Sequence, residues 1–308
     1  MAFEVERVAF EGPEALARQL TDEELPLVIS GGVARWRATA LWNPDYLERL
    51  LGHLVVPYKV SSSNAHPDFR QTERARMFAR ERAPFGDFMR SITTGPEPER
   101  AQRLFTGDEQ FLMRRRANVT SIDPGLAPLL ADIEVPSAIP ESRLHTVWAW
   151  FSGAGVRTWL HYDNNGCHNL NAQVTGRKRC TLYPPEELAR LHPFLLGGNN
   201  PAHNCSAIDV DEPRAELVAS LAGARSWQAE LSPGDLLFIP AWWWHTFSHL
   251  GVFNSNVNFW WKPARPSWNV VAARQAFLDA ASEANVDRED ERVAATLAAI
   301  DQALVERV

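Results

Sequence analysis

From about residue 145 the apolar and polar positions fall into short β-branched and aromatic runs: HTVWAWFS, TWLHYD, LNAQVTG, KRCTLYPP, GDLLFIP, HTFSHL and SNVNFWWK, split by Gly, Pro and Asn. Short strands with that punctuation predict an all-β barrel or sandwich. The stretch before it is mixed. GPEALARQL (12–20) predicts a helix entered through Pro13, and PLVISG (26–31) a buried strand. NPDYLERLLG (43–52) reads as a capped helix, with Asn43 as N-cap, Pro44 in the first turn and Gly52 as the stop. VVPYKVS (55–61) reads as a strand with an edge proline, and FGDFMRSI (85–92) and DPGLAPLLADI (123–133) as short helices. After Pro266, Val293, Leu297, Ile300 and Leu304 form one apolar stripe at helical spacing. Such a helix can pack on its own barrel or on a second copy, so a homodimer through the C-terminal helices is one expectation. The pattern divides the chain into N-terminal α/β elements packing on the barrel (1–140), a barrel core (141–265) and a C-terminal helical segment (266–308). A long polar interruption, 196–217, separates two strands; loops of that length tend to be functional.

Composition narrows the classes. The chain has 308 residues, 45% hydrophobic and 22% charged, which is enough to bury a large core. With 38 acidic against 31 basic side chains the formal charge is −7, and this acidic balance argues against nucleic acid as a partner. Cys167, Cys180 and Cys205 are an odd number at irregular spacing, which suits a reducing, cytoplasmic setting rather than a disulfide framework. MAFEVERVAF carries no signal-peptide pattern, and no stretch reaches the roughly 20 apolar residues of a membrane span.

The chemistry sits in TWLHYD. On a strand, residues i and i+2 share a face, so His161 and Asp163 project together, about 6–7 Å apart along the chain. The same parity gathers Asn169, Asn171 and Gln173, if NLNAQV is one strand. Buried unpaired, each of these amides would cost about 1–3 kcal/mol, so they satisfy one another or bind something. Two histidines and a carboxylate on one face of a metal are the arrangement of non-haem Fe(II) oxygenases. The second histidine should lie on a facing strand. His245, after GDLLFIPAWWW, suits the role, with His249 and His168 as competitors. The run Arg114–Arg116 reads as solvated surface and Trp242–Trp244 as core packing.

The segments TWLHYDNNGCHNLNAQVTGRKRCTLYPP, LSPGDLLFIPAWWWHTFSH and NVNFWWK, with LPLVISGGVARWRATALWNPDYLERLLG ahead of them, resemble the JmjC cupin-like 2-oxoglutarate oxygenases. The likeness covers roughly residues 25–262. It is strongest to the small hydroxylases typified by the asparaginyl hydroxylase of hypoxia-inducible factor. It implies a mainly β chain built on a double-stranded β-helix (cupin or jelly-roll) with flanking N-terminal α/β elements and C-terminal helices. It also implies Fe(II) held by His161, Asp163 and His245. Lys178 would pair with the distal carboxylate of 2-oxoglutarate, helped by the Thr158 hydroxyl, with Asn169 and Asn258 near the metal and cosubstrate. Phe111 would stand where a clamping tyrosine is expected. A buried ammonium needs a counter-ion, and an incoming carboxylate supplies one. The implied reaction hydroxylates an unactivated C–H bond, first of all on a peptide or protein side chain. The alternatives are a small metabolite, a tRNA base, or a metal-binding cupin that does not turn over 2-oxoglutarate.

Overall fold

The computed structural model of the chain describes residues 1–20, 25–61, 79–94, 102–105, 112–116, 119–163, 166–192, 204–211, 213, 215–264, 268–283, 294 and 297–298. Its strands are β1 (Ala2–Glu4), β2 (Glu6–Ala9), β3 (Leu27–Ser30), β4 (Val55–Ser61), β5 (Ala79–Pro84), β6 (Gln102–Phe105), β7 (Met113–Arg116) and β8 (Val119–Ile122), then β9 (Leu144–Gly153), β10 (His168–Tyr183), β11 (Ser226–Leu231), β12 (Leu236–Ile239) and β13 (Trp244–Trp261). Its helices are α1 (Pro13–Gln19), α2 (Arg37–Leu41), α3 (Pro44–Leu51), α4 (Phe85–Thr93), α5 (Ala215–Leu221) and α6 (Trp268–Glu283). The strands join in one sheet whose main path is β2-β3-β12-β10-β13-β9-β6-β4-β5.

The centre of the sheet is the antiparallel pair β10 and β13, matched from His168↔Trp261 to Tyr183↔Trp244. On its other side β10 pairs first with β12 and then, beyond Lys178, with β11. LNAQVTG and KRCTLYPP, expected as two strands, are therefore one, and so are HTFSHL and SNVNFWWK. The glycines that suggested breaks are bends inside long strands. Gly176 has φ +74, and a Cβ there would come within 2.3 Å of the Phe253 carbonyl oxygen. Only glycine fits where the register shifts between Gln173 and Arg177. Gln173 serves this bend, donating to the carbonyls of Thr175 and Gly176 and to Asn254 Oδ1. TWLHYD departs in the other direction. It forms bridges at His161, and the preceding Arg157 another, but no continuous strand, because residues 158–162 are laced between β13 on one side and Asn204–Ser206 on the other.

The N-terminal elements cover the sheet. Asn43 Oδ1 accepts from Tyr46 N at 2.9 Å, capping α3 as its sequence implies, and Leu47 and Leu51 are buried one turn apart. They meet Trp42, Phe85, Phe88 and Phe151 in the largest core. Pro57 lies within β4 between two neighbours, not on an edge, but it falls outside the short pairing of β4 with β6. Residues 127–132 form a 3₁₀ turn rather than an α-helix, in keeping with a short run carrying Pro128. That turn delivers the buried Asp132 to Arg37 Nε (3.1 Å), Trp42 Nε1 (3.1 Å) and Tyr46 Oη (2.6 Å). Asp132→Ala orphans two of these donors in a core junction, so urea unfolding should show a stability loss of about 2–4 kcal/mol.

α6 seats on its own chain, where Ala273 and Phe277 join Leu188, Leu191, Tyr162 and Trp244. The apolar stripe 293–304 lies outside the described residues except for Leu297, which packs on the same cluster. Residues 196–203, 212 and 214 of the long interruption also lie outside them, while Ala215 already begins α5. Among the described residues no helix is long and apolar enough to cross a membrane.

Candidate metal and cosubstrate site

Three side chains converge where TWLHYD meets the start of β13. His161 and His245 form an isolated bridge, donating backbone N–H groups to each other's carbonyls at 3.1 and 2.7 Å, and their rings lie 4.3 Å apart. Asp163 faces both: Oδ1 is 4.0 Å from His161 Nε2 and Oδ2 is 3.9 Å from His245 Nε2. The bend that delivers His245 is tight. Trp243 N donates to Pro240 O, and Trp242 takes φ +70, a left-handed conformation costly for a bulky residue. The three tryptophans before His245 are core, Trp242 and Trp244 against Tyr162 and Trp243 against Trp227.

The donor set suits a divalent cation. His161 Nδ1 lies 2.7 Å from Trp159 O and His245 Nδ1 lies 3.0 Å from Trp243 O. A carbonyl can only accept, so both rings carry the proton on Nδ1 and turn a bare Nε2 lone pair toward Asp163. The three ligand atoms lie within 4.8 Å of one another, and among the described residues no other such trio of His, Cys, Asp or Glu forms. Burial, and then His161 opposite, push the His245 imidazole down to about 4, so it stays neutral and able to ligate. Two histidines and one carboxylate leave three positions of an octahedral ion open.

Asp163 is held from behind. Its Oδ2 accepts from Trp260 Nε1 (2.8 Å) and Asn169 Nδ2 (3.1 Å), which leaves Oδ1 uncommitted. Asn169 Oδ1 in turn accepts from Asn258 Nδ2 at 2.8 Å. Asn258 Oδ1 accepts from Asn256 (2.5 Å) and Asn171 (3.3 Å). The polar face expected at 169–173 is thus a chain of amides ending on the carboxylate, and Asn169 and Asn258 lie on it. Trp260 was not singled out in the sequence, although parity with Asn258 in NVNFWW puts it on the same face. Trp260→Phe and Asn169→Ala should each weaken binding of Mn(II) or Fe(II) about 10- to 100-fold while the protein still folds, as calorimetric titration would show.

The second pole is Lys178. It is 1% exposed, and its ammonium lies over the Phe247 ring, 4.5 Å from the centroid. No carboxylate pairs with it among the described residues, and burial lowers its pKa to about 7. Thr158 meets the same Phe247: its Oγ1 accepts from Phe247 N at 2.8 Å, which leaves the hydroxyl hydrogen to donate elsewhere. Lys178 lies four residues along β10 from Leu182, the partner of His245, about 13 Å at the usual rise. Lys178 and Thr158 therefore gather at Phe247, apart from the three converging ligands. The competitors for the third ligand lie elsewhere. His168 accepts from Ala241 N and stacks near Phe238 and Trp261. His249 bonds to Ser152 and pairs across from Lys178. Phe111 lies outside the described residues. Cys167, Cys180 and Cys205 form no disulfide, and the first two are buried.

Comparison with known proteins identifies the family. The cupin-like domain family model matches residues 13–266. Among similar proteins, tRNA wybutosine-synthesizing protein 5 of Danio rerio is 32% identical over 227 residues, 72% of this chain and 64% of that protein. Lysine-specific demethylase 8 of Xenopus tropicalis is 27% identical over 249 residues, 77% of this chain and 48% of that protein. Lysine-specific demethylase JMJ31 of Arabidopsis thaliana is 28% identical over 268 residues, 77% of this chain and 46% of that protein. The chain thus spans about half to two thirds of the length of these relatives. With five sixths of its length inside the match, the chain belongs to the cupin-like domain family, in its JmjC branch.

Proposed function

We propose that the protein is an Fe(II)- and 2-oxoglutarate-dependent dioxygenase that hydroxylates an unactivated C–H bond. The observation that carries this reading is the meeting of two Nε2 lone pairs and one Asp163 oxygen, both imidazoles fixed in tautomer by a main-chain carbonyl. His161, Asp163 and His245 would hold the iron. When bound, iron and 2-oxoglutarate supply the oxidising power: one atom of O₂ goes into the substrate C–H bond and the other into succinate, with loss of CO₂.

The rest is work for the chain. Trp260 and Asn169 fix the carboxylate through Oδ2, so that Oδ1 would be free to hold the ion. Lys178 and Thr158 would hold the far carboxylate of the cosubstrate through charge-assisted hydrogen bonds, setting its keto-acid end toward the iron. The indoles of Trp260, Trp148 and Trp150 run in a row, with ring centroids 5.0 Å apart between Trp260 and Trp148 and 5.8 Å between Trp148 and Trp150, and Trp260 stands beside Asp163.

For the substrate, a peptide or protein side chain remains the first reading, in keeping with relatives named lysine-specific demethylases. A tRNA base is the second reading. It is favoured by the zebrafish relative, whose name is that of a tRNA wybutosine-synthesizing protein. Overall acidity is a weak objection, because net charge says little about a local surface. The test is incubation of the iron-loaded protein with 2-oxoglutarate, O₂ and either a peptide library or bulk tRNA. Succinate release coupled to a gain of one oxygen atom in one pool supports the reading and selects the class. Metal binding with no 2-oxoglutarate consumption in any pool would favour a cupin of another kind.

A further inference from the structure

Beside Lys178 sits a buried pair that the proposed function does not use. His249 is the direct antiparallel partner of Lys178. Paired residues share a face, so both side chains stand on the side that carries Phe247, two residues from His249. His249 is 6% exposed, its backbone is tied to Val156 and Gly155, and its Nδ1 is bonded to Ser152 Oγ. Ser152 is 1% exposed and has no other partner for its hydroxyl among the described residues. Burial, then the neighbouring Lys178, keeps the imidazole neutral, with its pKa lowered to about 3. With no other acceptor recorded for it among the described residues, the buried Ser152 hydroxyl donates to Nδ1; the neutral imidazole then carries its proton on Nε2, and that makes Nε2 a donor. Next to an ammonium, a neutral ring that offers a proton suits an anion and nothing cationic.

We propose that His249, oriented by Ser152, is a further cosubstrate-binding residue that donates from Nε2 to the same distal carboxylate as Lys178, so that the pair selects a dicarboxylic 2-oxo acid. This rests on the cosubstrate site of the proposed function. Ser152 is a positioning residue here: it acts through the tautomer of His249.

The test is binding rather than turnover. The Mn(II)-loaded full chain is titrated with 2-oxoglutarate and with 2-oxopentanoate, which has the same chain length but no distal carboxylate, while tryptophan fluorescence is followed. His249→Phe should weaken 2-oxoglutarate about 10- to 100-fold and leave 2-oxopentanoate unchanged. His249→Gln, which keeps an N–H donor, should recover most of the loss, and Ser152→Ala should weaken 2-oxoglutarate several-fold in the same selective way. Equal weakening of both acids by His249→Phe and Ser152→Ala means a packing role and overturns the proposal, as does no change in either. Lys178→Met is the control for the underlying reading. If it too fails to separate the two acids, the cosubstrate site itself is misplaced; if it separates them and the His249 and Ser152 variants do not, only the role of His249 falls.

Discussion

Asp163→Asn should be as damaging as Asp163→Ala, with 2-oxoglutarate turnover and Mn(II) affinity each falling about 1,000-fold or more, beyond the 10- to 100-fold typical of outer-shell losses. An amide is close to isosteric with a carboxylate, and in a permissive site its oxygen could still ligate. Here it cannot. Trp260 Nε1 and Asn169 Nδ2 both donate to one oxygen, Oδ2. The amide must place its only oxygen there, since an NH₂ group facing two donors would leave both donors without an acceptor. Its nitrogen, with no usable lone pair, is then turned toward the histidines. His161→Ala and His245→Ala should match this loss, since each removes an Nε2 whose tautomer the main chain fixes. Calorimetric metal titration and a succinate assay read the two effects, and circular dichroism with a melting curve checks the fold. Turnover that survives all the single substitutions would remove the metal assignment.

What could be read in the sequence followed the range of each signal. Helix caps are local: Asn43 and Pro44 declared α3, and its cap hydrogen bond is present. Parity along a strand is nearly as local, and it placed Asn169 and Asn171 on one face of β10, whereas His161 and Asp163 come together in a segment that is no continuous strand. Continuity was harder. Glycines read as breaks between strands, whereas Gly176 and Gly251, both at positive φ, bend two long strands without ending them. Whether a glycine ends a strand or bulges it depends on the partner strand, and that partner lies about eighty residues away. The same limit hid the support of Asp163. Trp260 and Asn258 are distant in sequence and meet Asp163 and Asn169 only through the register of β10 with β13. His249 read as a mere competitor for the metal because its partners, Ser152 and Lys178, come from two other strands.

Lys178→Met should have opposite effects on the cosubstrate and on the empty protein. The ammonium is fully buried and has no carboxylate beside it among the described residues, so burial lowers its pKa to about 7. In the bound state a carboxylate would face it and keep it charged. Removing it leaves that carboxylate unpaired, at a cost of about 2–5 kcal/mol, or roughly 30- to 3,000-fold in Kd for 2-oxoglutarate. The sign of the pH dependence follows from the same shift. Below pH 7 the ammonium is already charged and affinity is flat. Above it the free protein has a neutral amine, binding must take up a proton, and the apparent Kd rises about tenfold per pH unit. The methionine variant should lose that rise. Without ligand the balance reverses. A lysine whose folded pKa lies below its unfolded value destabilises the fold most fully at and below about pH 7, and the penalty fades as pH climbs toward the unfolded value of about 10.4. Met keeps the stem over Phe247 and discards the charge, so the ligand-free variant should melt higher than the parent at pH 7 and converge on it in alkali. A lower melting temperature at pH 7, with unchanged 2-oxoglutarate affinity, would place Lys178 in the packing of the barrel and outside the cosubstrate site.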